Sequence, residues 1–392
     1  MLFRSDIPKI QSAANCLPPK LPCRVNEGQL VLTNGRVPTA RDGSPEQPGP
    51  LARNPEILSA RAGDGVRLQV LNAAGARYFR LRLTNQEGKD VPIFRVGGQG
   101  GLLDRVRLEG GTLGSLDARY AAGQIVLGPA ERADLVVTAG GRPGDVMTLW
   151  TEDFQHYGTA EYPFGYGALP TVPVAHIRIA RGKPRGGTFR IAAGDPLRMH
   201  SAVNHPTGSL REEPLLANLV DPASLSPPRP GSKNPLMLLS VVGREVIDGV
   251  NGMALDGPMD GKGDYRDIPH VASSRYARVD DLVEMTVRNG TQMHHPWHLH
   301  GFSFQPLRIE DSLGKLVYTF DYNEFVDTWN VPATHRLIFR VRLEDRGAVA
   351  GPPDGGAVGR WMMHCHIFHH NGVGMMTELV VLPRESAGAD PL

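Results

Sequence analysis

Apolar and polar residues alternate along most of this chain with the two-residue period of a β-strand. VRLQVLN (66–72), YFRLRLT (78–84) and IVLGPAERADLVVT (125–138, across a turn) carry the pattern in the first half, followed by VMTLW (146–150) and VAHIRIA (174–180). It returns after about residue 236 in LMLLSVV, DLVEMTVRN, HLHGFSFQPL, HRLIFRVRL, RWMMHCHI and MTELVVL. No long stretch has helical periodicity. Residues 1–60 are irregular apart from QLVLTNGRV (29–37), and 183–235 are dense in Pro, Gly and Ser, as in SLSPPRPGSKNP. The pattern predicts an all-β protein with an irregular arm at 1–24, a β domain at 25–182, a linker at 183–235, a second β domain at 236–385 and a tail at 386–392.

An internal repeat relates the two β segments. Asp64-Gly-Val-Arg-Leu-Gln-Val-Leu-Asn72 matches Asp281-Leu-Val-Glu-Met-Thr-Val-Arg-Asn289 in spacing and apolar pattern. Six, nine and eleven residues past each asparagine stand Tyr78, Leu81 and Leu83 in the first copy, and His295, His298 and His300 in the second. Pro129-Ala130 and Pro332-Ala333 then lead into similar strands, ADLVV and HRLIFRV, each followed by another strand. Two domains of one architecture are expected, with potential ligands in the second alone.

Composition narrows the class. The chain has 392 residues, 41% of them hydrophobic, enough for more than one core. Its formal net charge of +1 and the lack of a basic patch argue against nucleic acid. No apolar run approaches the ~20 residues of a membrane helix. The start, MLFRSDIPKI, shows no secretory signal. Abundant proline (33) and glycine (46) suit a β protein rich in turns. Of the three cysteines, only Cys365 stands among histidines; Cys16 and Cys23 flank LPPKLP and are either a short-loop disulfide or two free thiols.

The chemistry concentrates in HHPWHLHG (294–301) and WMMHCHIFHHNGVGMM (361–376). Residues i and i+2 of a strand share a face. His298 and His300 therefore point together, and so do His364 and His366, with Cys365 on the opposite side. Pro296 is expected to interrupt the strand and let His295 aim elsewhere. One strand would thus serve two metal sites, the cysteine binding one and its flanking histidines the other, with few covalent bonds between them. Two histidines, a thiolate and an axial methionine form the blue-copper donor set, soft enough for Cu(I) and acceptable to Cu(II). His295, Cys365, His370 and Met375 supply it. A structural zinc site would also use Cys and His, but leaves Met375 and the His-X-His pairs unexplained.

These patterns, HxxHxH followed by HCHxxxH(x4)M, resemble the C-terminal copper-binding domain of the laccase-like multicopper oxidases, and the first half resembles that family's metal-free middle domain. The resemblance implies two cupredoxin-like Greek-key β-sandwich or barrel domains. It implies type 1 copper on His295, Cys365, His370 and Met375, type 2 copper on His298, and a type 3 pair on His300, His364 and His366, with Cys365, His364 and His366 relaying electrons. The implied reaction is one-electron oxidation of a phenolic, aromatic or metal-ion substrate, coupled to reduction of dioxygen to water, in the periplasm or outside the cell.

The family's trinuclear cluster takes eight histidines, four of them from two His-X-His pairs of an N-terminal domain. The upstream histidines here, 156, 176, 200, 205 and 270, form no such pair. The first domain is therefore expected to be missing, its ligands supplied by another domain or a partner chain. The alternative is a truncated or split form acting as a type 1 copper-binding, electron-transfer protein; a copper nitrite reductase fits less well, because its cysteine is not bracketed by histidines. Asn371 stands where many relatives carry an acid. Glu324 and Asp327 are candidates to orient ligand histidines, or simple turn carboxylates. His294 and His369 are expected to line the surface or pack locally rather than bind metal, and His156 to lie in a loop. His200 and His205 are read as solvated, and Met253 and Met259 as parts of a flexible loop.

Overall fold

A computed structural model describes residues 2–5, 31–37, 41–51, 58–111, 120–154, 156, 169–197, 236–239, 275–291, 293–320, 323–347, 355–372 and 375–384. Cys16, Cys23, His200, His205, Met253, Met259 and His270 lie outside the described residues. The chain divides into two compact units, one made of Met1–His156 and Ala160–Leu216, the other of Tyr157–Thr159 and Ala217–Leu392. No helix among the described residues is long and apolar enough to cross a membrane.

Both units are cupredoxin-like pairs of sheets. In the first, one sheet runs in the order Gly101–Leu108, Phe94–Gly98, Arg132–Thr138, Gly65–Asn72, Leu2–Ser5, Val31–Thr33. The other runs Ile125–Leu127, Phe79–Thr84, Val146–Glu152, Val172–Ala180, Leu58–Arg61. Consecutive strands often lie in different sheets, as Greek-key connections require. Alternation fills the space between the sheets: Leu68, Val70, Leu135 and Val137 from one, Phe79, Leu81, Leu83, Leu149 and Ile177 from the other. Residues 181–197 hydrogen-bond to this unit, Phe189 N–H donating to Gly63 O (2.8 Å) and Leu197 N–H to Asp104 O (2.9 Å).

The second unit repeats the plan. Leu236–Leu239, Leu282–Asn289, Arg336–Arg342, Phe304–Glu310 and Leu316–Thr319 form one sheet. Arg275–Arg278, Met376–Leu382, Gly359–Cys365, His295–Leu299 and Thr328–Val331 form the other. Phe304 and Phe339 pack at 4.3 Å between ring centroids in its core, beside Met285, Val287, Leu337 and Val341. The single described helix is one turn, Phe368–Gly372.

The repeat holds at the level of hydrogen bonds. Asp64 and Asp281 each accept from the backbone N–H three residues upstream (Arg61 and Arg278, both 2.8 Å), fixing the turn into the strand. Asn72 and Asn289 are fully buried. Each accepts a backbone N–H two residues on (Ala74 and Thr291, 2.9 Å), while its amide nitrogen donates to nearby carbonyls: Arg77 O and Leu127 O for Asn72, Met293 O, Val331 O and Pro332 O for Asn289. The second motif matches one residue later than the prolines suggest. Asn72 N–H donates to Glu131 O and Asn289 N–H to His335 O, and the left-handed residues are Ala130 (φ 69°) and Thr334 (φ 62°).

Two local expectations change. HLHGFSFQPL is two strands in different sheets, because Gly301 turns the chain at φ 77°, a conformation only glycine adopts cheaply. Pro296 does not interrupt its strand: it sits inside His295–Leu299, paired with Asn330, and its carbonyl accepts from His366 N–H (2.7 Å). His295 faces away from His298 because three residues reverse the face of a strand.

Candidate metal centre

Two neighbouring strands carry most of the ligand candidates. Trp297 stands opposite Cys365, and His298 opposite His364. Residues directly opposite share a face, so His298 and His364 lie together on one side and Cys365 on the other. His295, Cys365 and His370 form one group, and His298, His300 and His364 a second; within each group the ligand atoms all lie within 4.8 Å.

The first group is buried and close. His295 Nδ1 lies 3.4 Å from Cys365 Sγ, His370 Nδ1 lies 3.6 Å from it, and the two imidazole nitrogens are 3.1 Å apart. His370 comes from the one-turn helix. Met375 is fully buried just beyond; its N–H donates to His370 O (2.9 Å), and its carbonyl accepts from Cys365 N–H (3.0 Å). Those bonds close the six-residue loop on itself. Burial holds the Cys365 thiol well above its ordinary pKa, whereas the Ile367 N–H donated to its sulfur (3.4 Å) favours the thiolate. A buried thiol between two imidazoles gains most by losing its proton to a bound metal.

The orientation of His295 is fixed from behind. Thr291 Oγ1 lies 2.7 Å from His295 Nε2. The hydroxyl has one proton, and Asn289 Oδ1 (2.8 Å) and Met293 O (3.2 Å) are its acceptors. With that proton given to Asn289 Oδ1, the hydroxyl accepts from His295 Nε2–H, which leaves the Nδ1 lone pair facing Cys365. Replacing Thr291 with valine keeps the shape and removes this acceptor. Copper affinity at the cysteine site is expected to fall by about 10–100-fold with the fold intact; an unchanged affinity in competition titration would show that Thr291 has no such role.

On the other face, ring centroids of His298 lie 4.7 Å from His300, 5.4 Å from His364 and 5.5 Å from His366, and His364 lies 5.2 Å from His366. His300 Nε2 and His364 Nε2 face each other at 3.0 Å. Two lone pairs so placed repel unless a cation or proton lies between them. His298 Nδ1–H donates to Asp327 O (2.8 Å), with Thr328 Oγ1 at 3.0 Å and the Asp327 carboxylate at 3.5 Å, which turns Nε2 toward the other rings. His364 Nδ1 has the Cys365 carbonyl at 3.0 Å and the Asn371 amide at 3.1 Å. The carbonyl can only accept, so Nδ1 carries the proton, and the oxygen end of the Asn371 amide is the end that suits it. Burial first, then the neighbouring rings, pushes His364 down to about 3 and His366 to about 4, and lowers His300. All three are neutral at pH 7, as metal ligands must be.

Sequence reasoning missed Thr291, Thr328 and the carbonyl of Asp327, which hold ligands without belonging to any ligand pattern. Glu324 is buried rather than solvated. His294 is buried and meets the Asn330 amide (3.1 Å). His156 lies outside the strands, as expected of a loop residue, and is buried there, stacked on Tyr78 at 4.8 Å. The sheet registers explain the contrast between the units. Thr151 pairs with Leu81 as His364 pairs with His298, and Glu152 pairs with Arg80 as Cys365 pairs with Trp297. Where the second unit has a thiol and imidazoles, the first has Tyr78 packed on rings and Glu152 paired with Arg80 (2.7 Å) and Arg82 (3.0 Å).

Residues 251–385 match the family model described as multicopper oxidase. That segment, which holds both ligand groups, is similar to multicopper oxidases. Over 349 residues it is 23% identical to the multicopper oxidase MmcO of Mycobacterium tuberculosis, covering 89% of this chain and 50% of that protein. It is 31% identical over 131 residues to Laccase-24 of Oryza sativa subsp. japonica, covering 31% and 20% of the two. The McoA multicopper oxidase of Aquifex aeolicus superposes with a TM-score of 0.57 at 19% identity, over 97% of this chain and 64% of that one, a likeness of fold. The chain thus spans half the length of MmcO and a fifth of that of Laccase-24. Copper is this family's metal. The buried sulfur with two convergent imidazoles, and the facing imidazoles of the second group, fit it by donor type and spacing.

Proposed function

We propose that this chain is a multicopper oxidase, an oxidoreductase that takes single electrons from a phenolic, aromatic or metal-ion substrate at a type 1 site and passes them to dioxygen at a trinuclear cluster. The observation that supports it most is the pair of ligand groups on opposite faces of one strand, joined through Cys365 and its neighbours His364 and His366. In this reading His295, Cys365, His370 and Met375 hold type 1 copper, His298 the type 2 ion, and His300, His364 and His366 the type 3 pair. Bound copper would supply one-electron redox chemistry and dioxygen activation.

The protein's own part is positional. Thr291 holds His295, Asp327 and Thr328 hold His298, and the Cys365 carbonyl and Asn371 hold His364. Burial keeps water from the thiolate. The route between the sites is short: the backbone of Cys365 leads directly into both His364 and His366. We propose that the remaining cluster ligands come from a further domain or a partner chain, and that the protein works in the periplasm or outside the cell, as the family resemblance implies.

A second reading is a type 1 electron-transfer protein. It is favoured by a contrast in burial: the cysteine group is enclosed, whereas His300 in the other group is exposed. Oxygen uptake by the copper-loaded full chain with a phenol, an aromatic amine or ferrous ion as donor separates the two. Consumption of one dioxygen per four one-electron oxidations supports the oxidase; reduction of the blue chromophore without uptake overturns it for this chain and leaves the electron-transfer reading.

A further inference from the structure

The ligand candidates are not held equally. His295, His298 and His364 each have a fixed partner on the ring nitrogen that faces away from their group. His300 has none among the described residues: its only side-chain hydrogen-bond partner there is His364, across the group itself. It is also exposed and stands just past the end of its strand. Core packing and side-chain bonding therefore do not fix it. Its backbone must.

That backbone is held by one cation. The Arg346 guanidinium lies 4.7 Å from the ring centroid of Trp361 and 5.1 Å from that of Phe302. Its Nη1 donates to Gly301 O (2.5 Å), and its Nε to Gly356 O (3.5 Å). The Trp361 indole N–H donates to Ala357 O (2.8 Å), and its ring meets the Phe302 ring edge-on at 5.5 Å. The indole lies so close to Gly301 that a Cβ there would stand 2.2 Å from a ring carbon. The neighbouring Asp345 accepts from Gly355 N–H (2.9 Å), and Arg346 O accepts from Gly356 N–H (2.7 Å). Arg346 thus ties the residue after His300 to the segment that enters the strand of His364, Cys365 and His366. Between these ties runs the bond from His300 N–H to Met362 O (2.8 Å).

We propose that Arg346 is a positioning residue for His300, clamping Gly301, Phe302 and Trp361 so that His300 Nε2 meets His364 Nε2. This rests on the reading of His298, His300 and His364 as one metal-binding group. A planar fork lying over two rings while donating to a carbonyl is work that lysine cannot do. Each contact is modest at an exposed site, so the fold does not depend on it.

The test uses the full chain with Cu2+ as the probe, in wild type, Arg346→Ala, Arg346→Lys and Gly301→Ala. Two readouts are followed: copper affinity of the histidine group, separated spectroscopically from the blue cysteine site, and amide exchange in the metal-free protein. Arg346→Ala is expected to weaken copper at the histidine group by about 10-fold or more, leave the blue site unchanged, and speed exchange of the His300 amide but not of amides in Arg336–Arg342. Gly301→Ala should do the same more strongly, and Arg346→Lys should recover only part. Equal loss at both sites, faster exchange throughout, or full rescue by lysine would each overturn the proposal. If wild type itself binds no copper at the histidines, the ligand reading fails instead, and selective exchange at His300 still tells whether the clamp acts on that backbone.

Discussion

Replacing Cys365 with serine is expected to abolish the intense visible absorption of the copper-loaded protein and to lower copper affinity at that site by at least about 100-fold, the upper end of what losing even an outer partner costs. A hydroxyl is a hard, weakly acidic donor and cannot stand in for a thiolate toward Cu(I). The imidazoles of His295 and His370 would remain 3.1 Å apart with no third donor between them. The fold should survive, because Cys365 is held through its backbone: its N–H donates to Met375 O, and its carbonyl bonds His364. His298, His300, His364 and His366 should therefore still take up copper in the variant. Absorption and copper content before and after dialysis check both halves; a blue serine variant would contradict the assignment of the sulfur.

Acid should destabilise the metal-free protein more than a surface histidine pair could. His364 and His366 titrate near 3 and 4 in the folded chain, against an ordinary value of 6.5. When a folded pKa is depressed, the unfolded chain binds more protons between the two values, so stability is intact above about 6.5 and is lost as pH falls. At pH 5 each group contributes about 2 kcal/mol of loss, about 4 kcal/mol together. The loss levels off only as pH approaches 4 to 3, where the folded groups also protonate. Copper should cancel the effect by occupying the same nitrogens. At the cysteine site the sign is opposite in origin: the thiol holds its proton because burial raises its pKa, so binding releases a proton and affinity should rise about tenfold per pH unit. Urea titrations at pH 7 and 5, with and without copper, test the first part. Equal stability of the metal-free protein at the two pH values would contradict it.

Much of this architecture is legible in the sequence because strand alternation and ligand spacing are the same signal. HLH and HCH are two-residue periods, so the residue pattern that predicts a strand also states which side chains share a face. The repeat of Asp64–Asn72 in Asp281–Asn289 is legible for a related reason: the aspartates and asparagines perform the same backbone bonding in both units. Other features leave no periodic trace. The turn at Gly301 moves Phe304 into a different sheet, although HLHGFSFQPL reads as one run. Thr291 reaches His295 because the chain bends back after Asn289, and Arg346 reaches Trp361 from a different strand's end. These contacts depend on tertiary geometry, and single threonines and arginines in loops give no warning of it. His156 shows the same limit: a lone histidine in DFQHYG reads as a loop residue, and is one, but its stacking on the Tyr78 ring has no trace in the local sequence.

The most direct test of the account is copper content of the full chain after loading, read together with its visible and paramagnetic spectra. One intensely blue copper bound through Cys365 is expected, with further copper bound by His298, His300, His364 and His366 and lost when those histidines are replaced. Copper that binds without blue colour, or binding unaffected by replacing Cys365 and the paired histidines, would contradict it.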